Sequence, residues 1–323
     1  MKFHFSFKKF TVFLLVSFLT VNFSLWAKIE KVHYLLSPEP IDVVIPSVPK
    51  DLDTLELCIE GIRKNGKNVR RIIVVSKERL TDSAEWFDEK QYPFSKRDLI
   101  LEIFQGDEQK TDRFLTDPKA RSGWIYQQFL KLYAPFVIPD ISSNVLILDS
   151  DVIFLNPTAF MTEKGFPIFN TGSEYYKPYF NHMQRLLPDL TRVDRRYSGI
   201  CNYMLFQRPI LEDLFSCIET RHQTLAWKAI CRCINHQMLY ASCLSEYEIY
   251  FNFTLLRSNQ ARIQPLKWVR QRSWAPKERE HYRSLGFSYM SCDSWIRNDL
   301  PTFKEIYPKK QLEPMKDPEA RNP

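Results

Sequence analysis

Residues 145 to 155 read Val-Leu-Ile-Leu-Asp-Ser-Asp-Val-Ile-Phe-Leu, an apolar run broken only by Asp149, Ser150 and Asp151. Turn signals bound it, Ser142-Ser143-Asn144 before and Asn156-Pro157 after. Such a run is what a strand buried on both faces requires, which points to a parallel sheet covered by helices. The acidic triplet belongs at the strand's end, facing a crevice, because two carboxylates one residue apart cannot both stay ionised in an apolar wall. They can share a divalent cation through hard oxygen ligands, and that cation can also take diphosphate oxygens. The alternative is a capped strand end with two solvated aspartates, which the apolar flanks make expensive.

The chain before this run supports the same architecture. Ile41 to Ser47 is a short strand ended by proline, and Asp51 to Lys64 carries Leu52, Leu55, Ile59 and Ile62 at helical spacing, closing at Asn65-Gly66. Arg71 to Ser76 is the next strand, so the three form a βαβ unit with a parallel, right-handed default. A third strand-bearing unit is expected from Leu99 to Phe104. Ser122 to Ala134 predicts an amphipathic helix with Ile125, Phe129 and Leu132 inward and Gln127, Gln128 and Lys131 on an edge that can reach the crevice.

After Pro157 the pattern loosens. Phe169 to Tyr176 and Tyr197 to Phe206 are strand-like pieces rich in Tyr, Asn and Ser; Leu211 to Thr220 and Trp227 to Leu244 read as helices. Ser245 to Phe253 places Glu246, Glu248, Tyr250 and Asn252 among aromatics, where a carboxyl's pKa rises and hydroxyls can be gripped. Ser245 with Glu248 three residues on also reads as a helix cap.

Phosphate chemistry without metal is disfavoured by composition. The chain has 8 glycines and neither a G-x-G-x-x-G nor a P-loop motif. Its formal charge is +7; setting aside Lys2, Lys8 and Lys9 leaves 42 basic against 38 acidic side chains, with no block of like charge to suggest nucleic acid. Residues 1–27 run from basic to apolar, the outline of a signal peptide or uncleaved signal anchor, so the protein is expected to be exported or membrane-associated. Seven cysteines at irregular spacing do not read as a disulfide framework, and Cys231, Cys233 and His236 lack a second pair at finger spacing.

With these residues laid out, the chain resembles GT-A-type nucleotide-sugar glycosyltransferases and, more narrowly, a bacterial family of unknown function, number 6492. The resemblance rests on Ile41 to Asp51, Arg71 to Ser76, Arg121 to Leu132, Leu146 to Phe154, Tyr203 to Phe206 and Ser245 to Phe253. One departure is Asn202, where relatives often carry His. The resemblance implies a GT-A-like (Rossmann-like) α/β fold with a mixed, mainly parallel sheet between helices, as a single domain over residues 38–300 followed by a polar tail at 301–323. It implies transfer of a sugar from a nucleoside-diphosphate donor to a glycan, lipid or protein hydroxyl. Asp149 and Asp151 would hold Mn2+ or Mg2+. Pro46, Ser47, Gln128, Lys131 and Ser150 would contact the donor, with Asp151 and Glu246 catalytic and Glu246 on the acceptor side. Two rivals stand beside it: a catalytically silent glycan-binding or secreted interaction protein, and a haloacid-dehalogenase-type phosphatase, whose motif usually comes near a domain's start.

Overall fold

The computed structural model describes residues 30–293, so the expected export segment at 1–27, the tail from 301 and the end of the expected 38–300 unit lie outside the described residues. Strand β1 (Ile41–Pro46) stops at its proline, and α1 (Leu52–Asn65) follows with Leu55, Ile59 and Ile62 buried. β2 (Val69–Ser76) pairs parallel with β1 and completes the βαβ unit. β3 (Glu85–Asp88) adds to β2, again parallel.

The stretch from Leu99 to Phe104 is not the expected strand. It lies in α2 (Lys96–Ile103), where Ser95 and Asp98 form a reciprocal capping box. That cap satisfies two of the amides a helix start leaves open, and Leu99, Ile100 and Ile103 then bury one face. α3 (Glu108–Thr116) and α4 (Ser122–Val137) follow, and Ile125, Phe129 and Leu132 are fully buried as their spacing predicts.

β4 (Asn144–Leu148) joins the free side of β1 in parallel. The apolar run then breaks at the acidic triplet, and β5 (Val152–Phe154) enters a different sheet. Beyond it come β6 (Ile168–Phe169), α5 (Lys177–Leu186), β7 (Tyr203–Gln207), α6 (Arg208–His222) and α7 (Ala226–Arg232). The helix expected over 227–244 is shorter: the chain leaves α7, and the Asn235 side chain accepts from Gln237 N to start a single 3-10 turn at His236–Met238. The last elements are α8 (Glu246–Arg257), β8 (Arg262–Ile263), β9 (Trp268–Arg270), α9 (Pro276–Ser284) and β10 (Tyr289–Ser291).

The result is a mixed α/β fold around a five-stranded sheet in the order β3-β2-β1-β4-β7, in which β7 alone is antiparallel. Smaller sheets are β5-β10-β9 and β6-β8. Successive side chains of a strand point to opposite faces. Val44, Ile73, Val75, Val145 and Ile147 therefore pack with buried residues of α2, α4, α6, α7 and α8, while Val43, Ile45, Val74, Leu146 and Leu148 pack with α1. Gly61 lets α1 lie directly on β5, since a Cβ there would sit 2.9 Å from the backbone nitrogen of Phe154. Near the start of β1, fully buried Asp42 accepts from Arg70 Nε at 2.9 Å and from Ser142 N at 2.8 Å.

All seven cysteines are free. His236 bonds the Ile103 carbonyl at 2.8 Å and not the nearby thiols. Among the described residues no helix is long and apolar enough to cross a membrane.

Candidate functional site

Parallel strands end on the same edge of a sheet, so β1, β2 and β4 deliver Pro46, Ser47, Ser76 and Asp149 to one cleft of ≈ 2600 Å³. β7 runs the other way and brings the residue before it to that edge: Leu148 pairs with Tyr203, and Asp149 N donates to the Asn202 carbonyl at 3.0 Å. On the other flank β10 runs antiparallel to β5, and Cys292 N donates to the Asp151 carbonyl at 2.9 Å, which places Asp293 beside the turn. Asp149, Ser150 and Asp151 thus line the cleft between Asn202 and Asp293, which line it too.

Behind the turn stands a buried ion cluster. Lys131 Nζ, on α4, lies 2.6 Å from Asp149 Oδ1 and 2.7 Å from Glu246 Oε1, and 4.4 Å from the centre of the Tyr247 ring. Ser245 caps α8 by accepting from Glu248 N, which sets Glu246 in the first turn, where the helix dipole favours an anion. Burial opposes the charge on Lys131, but the two carboxylates outweigh it and hold its pKa above the ordinary lysine value. Burial pushes Asp149 up to about 6, with Lys131 opposing and Glu246 adding to the rise. On the far flank Asp293 accepts from Ser291 Oγ and pairs with Arg270 Nε at 2.7 Å. Across this group four carboxylates, Asp149, Asp151, Glu246 and Asp293, meet two cations, Lys131 and Arg270.

A second buried carboxylate supports the site's wall. Glu248 accepts from Ser198 Oγ at 2.6 Å, Gly199 N at 3.0 Å and Asn252 Nδ2 at 2.7 Å. A Cβ on Gly199 would lie 2.8 Å from the Tyr247 carbonyl, so only glycine lets this segment lie so close to α8. The segment runs on to Ile200 and Asn202 in the cleft wall.

Of the residues expected from sequence, Pro46, Ser47, Asp149, Ser150 and Asp151 line the cleft. Gln128, Lys131 and Glu246 do not. Gln128 is 3% exposed and donates back to the Trp124 carbonyl, while its neighbour Gln127 reaches the cleft. Lys131 meets the site through Asp149 and is itself 3% exposed. Glu246 is 2% exposed beneath Lys131, with its carboxylate drawn into the buried ion cluster. Sequence reasoning missed Arg270 and Asp293, which no motif marks, and Glu174, which lay unremarked in the Tyr/Ser-rich stretch before α5.

Buried polar atoms of cleft-lining residues that have no hydrogen-bond partner among the described residues include Ser47 Oγ, Asn202 Oδ1 and Glu278 Oε2. Such atoms are costly unless a ligand or water completes them. Among the described residues no group of three or more His, Cys, Asp or Glu could hold a metal. Asp149, Asp151 and Asn202 Oδ1 are a hard oxygen set, however, and suit an ion such as Mg2+ that takes one or two protein carboxylates and fills its other positions with phosphate and water.

No family model matches the chain, that of family 6492 included, and no curated protein matches it. Among solved structures it is similar to apo mouse xyloside xylosyltransferase 1, at 11% identity and a TM-score of 0.37, covering 79% of this chain and 94% of that one. It is also similar to the apo structure of the bifunctional glycosyltransferase WbbM, at 11% identity and a TM-score of 0.40; the match covers 81% of this chain and 47% of that one.

Proposed function

We propose that the cleft transfers a sugar from a nucleoside-diphosphate donor to a hydroxyl acceptor. The observation that carries this reading is the acidic turn at the carboxyl ends of parallel strands, where Asp149, Ser150 and Asp151 line an open cleft beside Asn202. A divalent cation held at this turn would offset its carboxylates and attract an anionic ligand. Asp149 and Asp151 would hold Mn2+ or Mg2+, with Asn202 Oδ1 as a further oxygen; when bound, the ion supplies charge neutralisation for the departing diphosphate.

The chain's own residues do the rest. Lys131, fixed between Asp149 and Glu246, holds the Asp149 carboxylate in one orientation and keeps it ionised against burial. Glu246 is a positioning residue for Lys131. Pro46 and Ser47, at the end of β1, form the wall for the nucleotide, with the buried Ser47 hydroxyl lacking a hydrogen-bond partner among the described residues. Three parallel strands stand before or beside the motif, an arrangement unlike a phosphatase motif near a domain's start. The basic and apolar character of residues 1–27 supports a setting outside the cytoplasm or at a membrane.

Calorimetric titration of UDP, GDP, ADP and CDP, each with and without Mn2+, tests the reading. Binding of at least one diphosphate should need the metal, and Asp151→Asn should weaken it at least tenfold. Metal-independent binding, or full affinity in Asp151→Asn, would overturn the metal assignment; no binding of any diphosphate would overturn sugar transfer.

A further inference from the structure

The cleft has a second half, away from Ser47 and the β1–β2 edge, and its chemistry is different. The chain from Asn170 to Tyr176 crosses it. Asn170 is buried, donating to the Tyr289 hydroxyl at 2.8 Å and accepting from Leu266 N at 2.9 Å. Gly172 exchanges two backbone hydrogen bonds with Ser198, at 3.1 and 2.9 Å. Arg192 then ties the Ser173 carbonyl, at 3.3 Å, to the Tyr197 carbonyl, at 2.9 Å. These ties fix the backbone just before two side chains that have no comparable anchorage in polar contacts.

Glu174 lines the cleft, partly buried, and makes no hydrogen bond or ion pair with any described residue. Burial raises its pKa, with Arg270 opposing and Asp293 adding, so it senses the flank of the acidic turn. Tyr175 beside it is 59% exposed, its ring stacked on Phe180 at 4.9 Å and 12° with the Arg192 guanidinium 5.5 Å away. Tyr197, on the facing segment, also lines the cleft. An aromatic face exposed in a cleft can stack on the apolar face of a ligand, and a carboxylate in a crevice with no partner among the described residues wants a donor.

We propose that Glu174 and Tyr175 form a saccharide subsite, in which the ring face of a pyranose lies on Tyr175 and a sugar hydroxyl donates to the Glu174 carboxylate. A pyranose offers both parts at the spacing of adjacent residues: an apolar C–H face and hydroxyl donors at its edge. A lipid tail would leave Glu174 unpaired in an apolar contact. The subsite deepens the reading above and rests on it for its meaning, since it makes the acceptor a carbohydrate and places it across the acidic turn from the nucleotide.

The test is saturation-transfer NMR of the wild-type protein with methyl α- and β-pyranosides of glucose, galactose and N-acetylglucosamine, and with lactose and cellobiose, in Mg2+. At least one should show transfer, reduced fivefold or more in Tyr175→Ala and in Glu174→Ala. Tyr240→Ala, an exposed tyrosine outside the cleft, should keep the signal. Circular dichroism establishes that all three variants fold. Absence of transfer from every saccharide, or transfer that survives both cleft variants, overturns the subsite. The diphosphate titration run alongside separates the two ideas. Diphosphate bound without any saccharide sinks the subsite and spares sugar transfer. Saccharide bound through Glu174 and Tyr175 without any diphosphate upholds the subsite and sinks sugar transfer.

Discussion

Replacing Lys131 by Met removes the one cation that two carboxylates share while keeping the side chain's length. At 2.6 and 2.7 Å each pair has a gross attraction of about 6 kcal/mol at an effective dielectric of about 20. Most of that offsets the cost of burying three charges, so the attraction is not the net loss. What the variant leaves is decisive: Glu246 at 2% exposed, facing Asp149 with nothing between them. Breaking a buried pair in this way costs about 3–5 kcal/mol, a large share of a typical domain's about 5–15 kcal/mol but short of unfolding it. Replacing Glu246 by Leu in the same chain removes the stranded carboxylate, and Asp149, which keeps 24% of its side chain open to the cleft, can hydrate. The double variant Lys131→Met/Glu246→Leu should therefore recover about 2 kcal/mol of the loss, a coupling in the range of residues in direct contact. Urea unfolding at pH 7.5 of the wild type, both single variants and the double gives the cycle. A Lys131→Met midpoint within about 1 kcal/mol of wild type, the value of an exposed pair, would refute the buried cluster. So would a double variant no better than the sum of the singles.

His182 is buried, its Nε2 bonded to the Ile230 carbonyl at 3.0 Å, and burial lowers its pKa to about 4. A depressed folded-state pKa gives stability present above the unfolded value of about 6.5 and lost as pH falls through the folded value, about 3 kcal/mol in all. His182→Asn should flatten the decline in urea midpoint between pH 7 and pH 4, and an unchanged slope would contradict the assignment. Gly61→Ala should destabilise by about 1–3 kcal/mol although alanine is the better helix former, because the new Cβ meets the backbone of β5; thermal unfolding checks it, and a stabilised variant would show that α1 can move. Gly199→Ala should weaken diphosphate binding more than it lowers the melting temperature, since the displaced segment carries Asn202; an unchanged dissociation constant would detach that segment from the site.

The elements legible in sequence were those whose signal is local. β1, α1 and β2 followed from short apolar runs on either side of a stretch with helical apolar spacing, and the acidic triplet was bound to end β4 because its flanks were apolar. Leu99 to Phe104 misled for the same reason, since its apolar run resembles a strand and the Ser95 and Asp98 cap lies mostly before it. Asp151 leads into β5, and only β10, more than a hundred residues later, shows that Val152 to Phe154 belongs to a second sheet.

Pairing over distance is what the sequence could not carry. Glu246 reads as a reactive glutamate among aromatics, and its partner Lys131 lies 115 positions away. Folding pairs its carboxylate with the same lysine that pairs with Asp149. Glu174 is the reverse case: nothing in its neighbours of sequence marks it, yet it lies in the cleft without a hydrogen-bond or ion-pair partner among the described residues while Glu246 and Glu248 each find theirs. Three glutamates of the same chemistry thus divide by their hydrogen bonds alone. The one whose bonds the described residues do not complete is the one we propose for a saccharide.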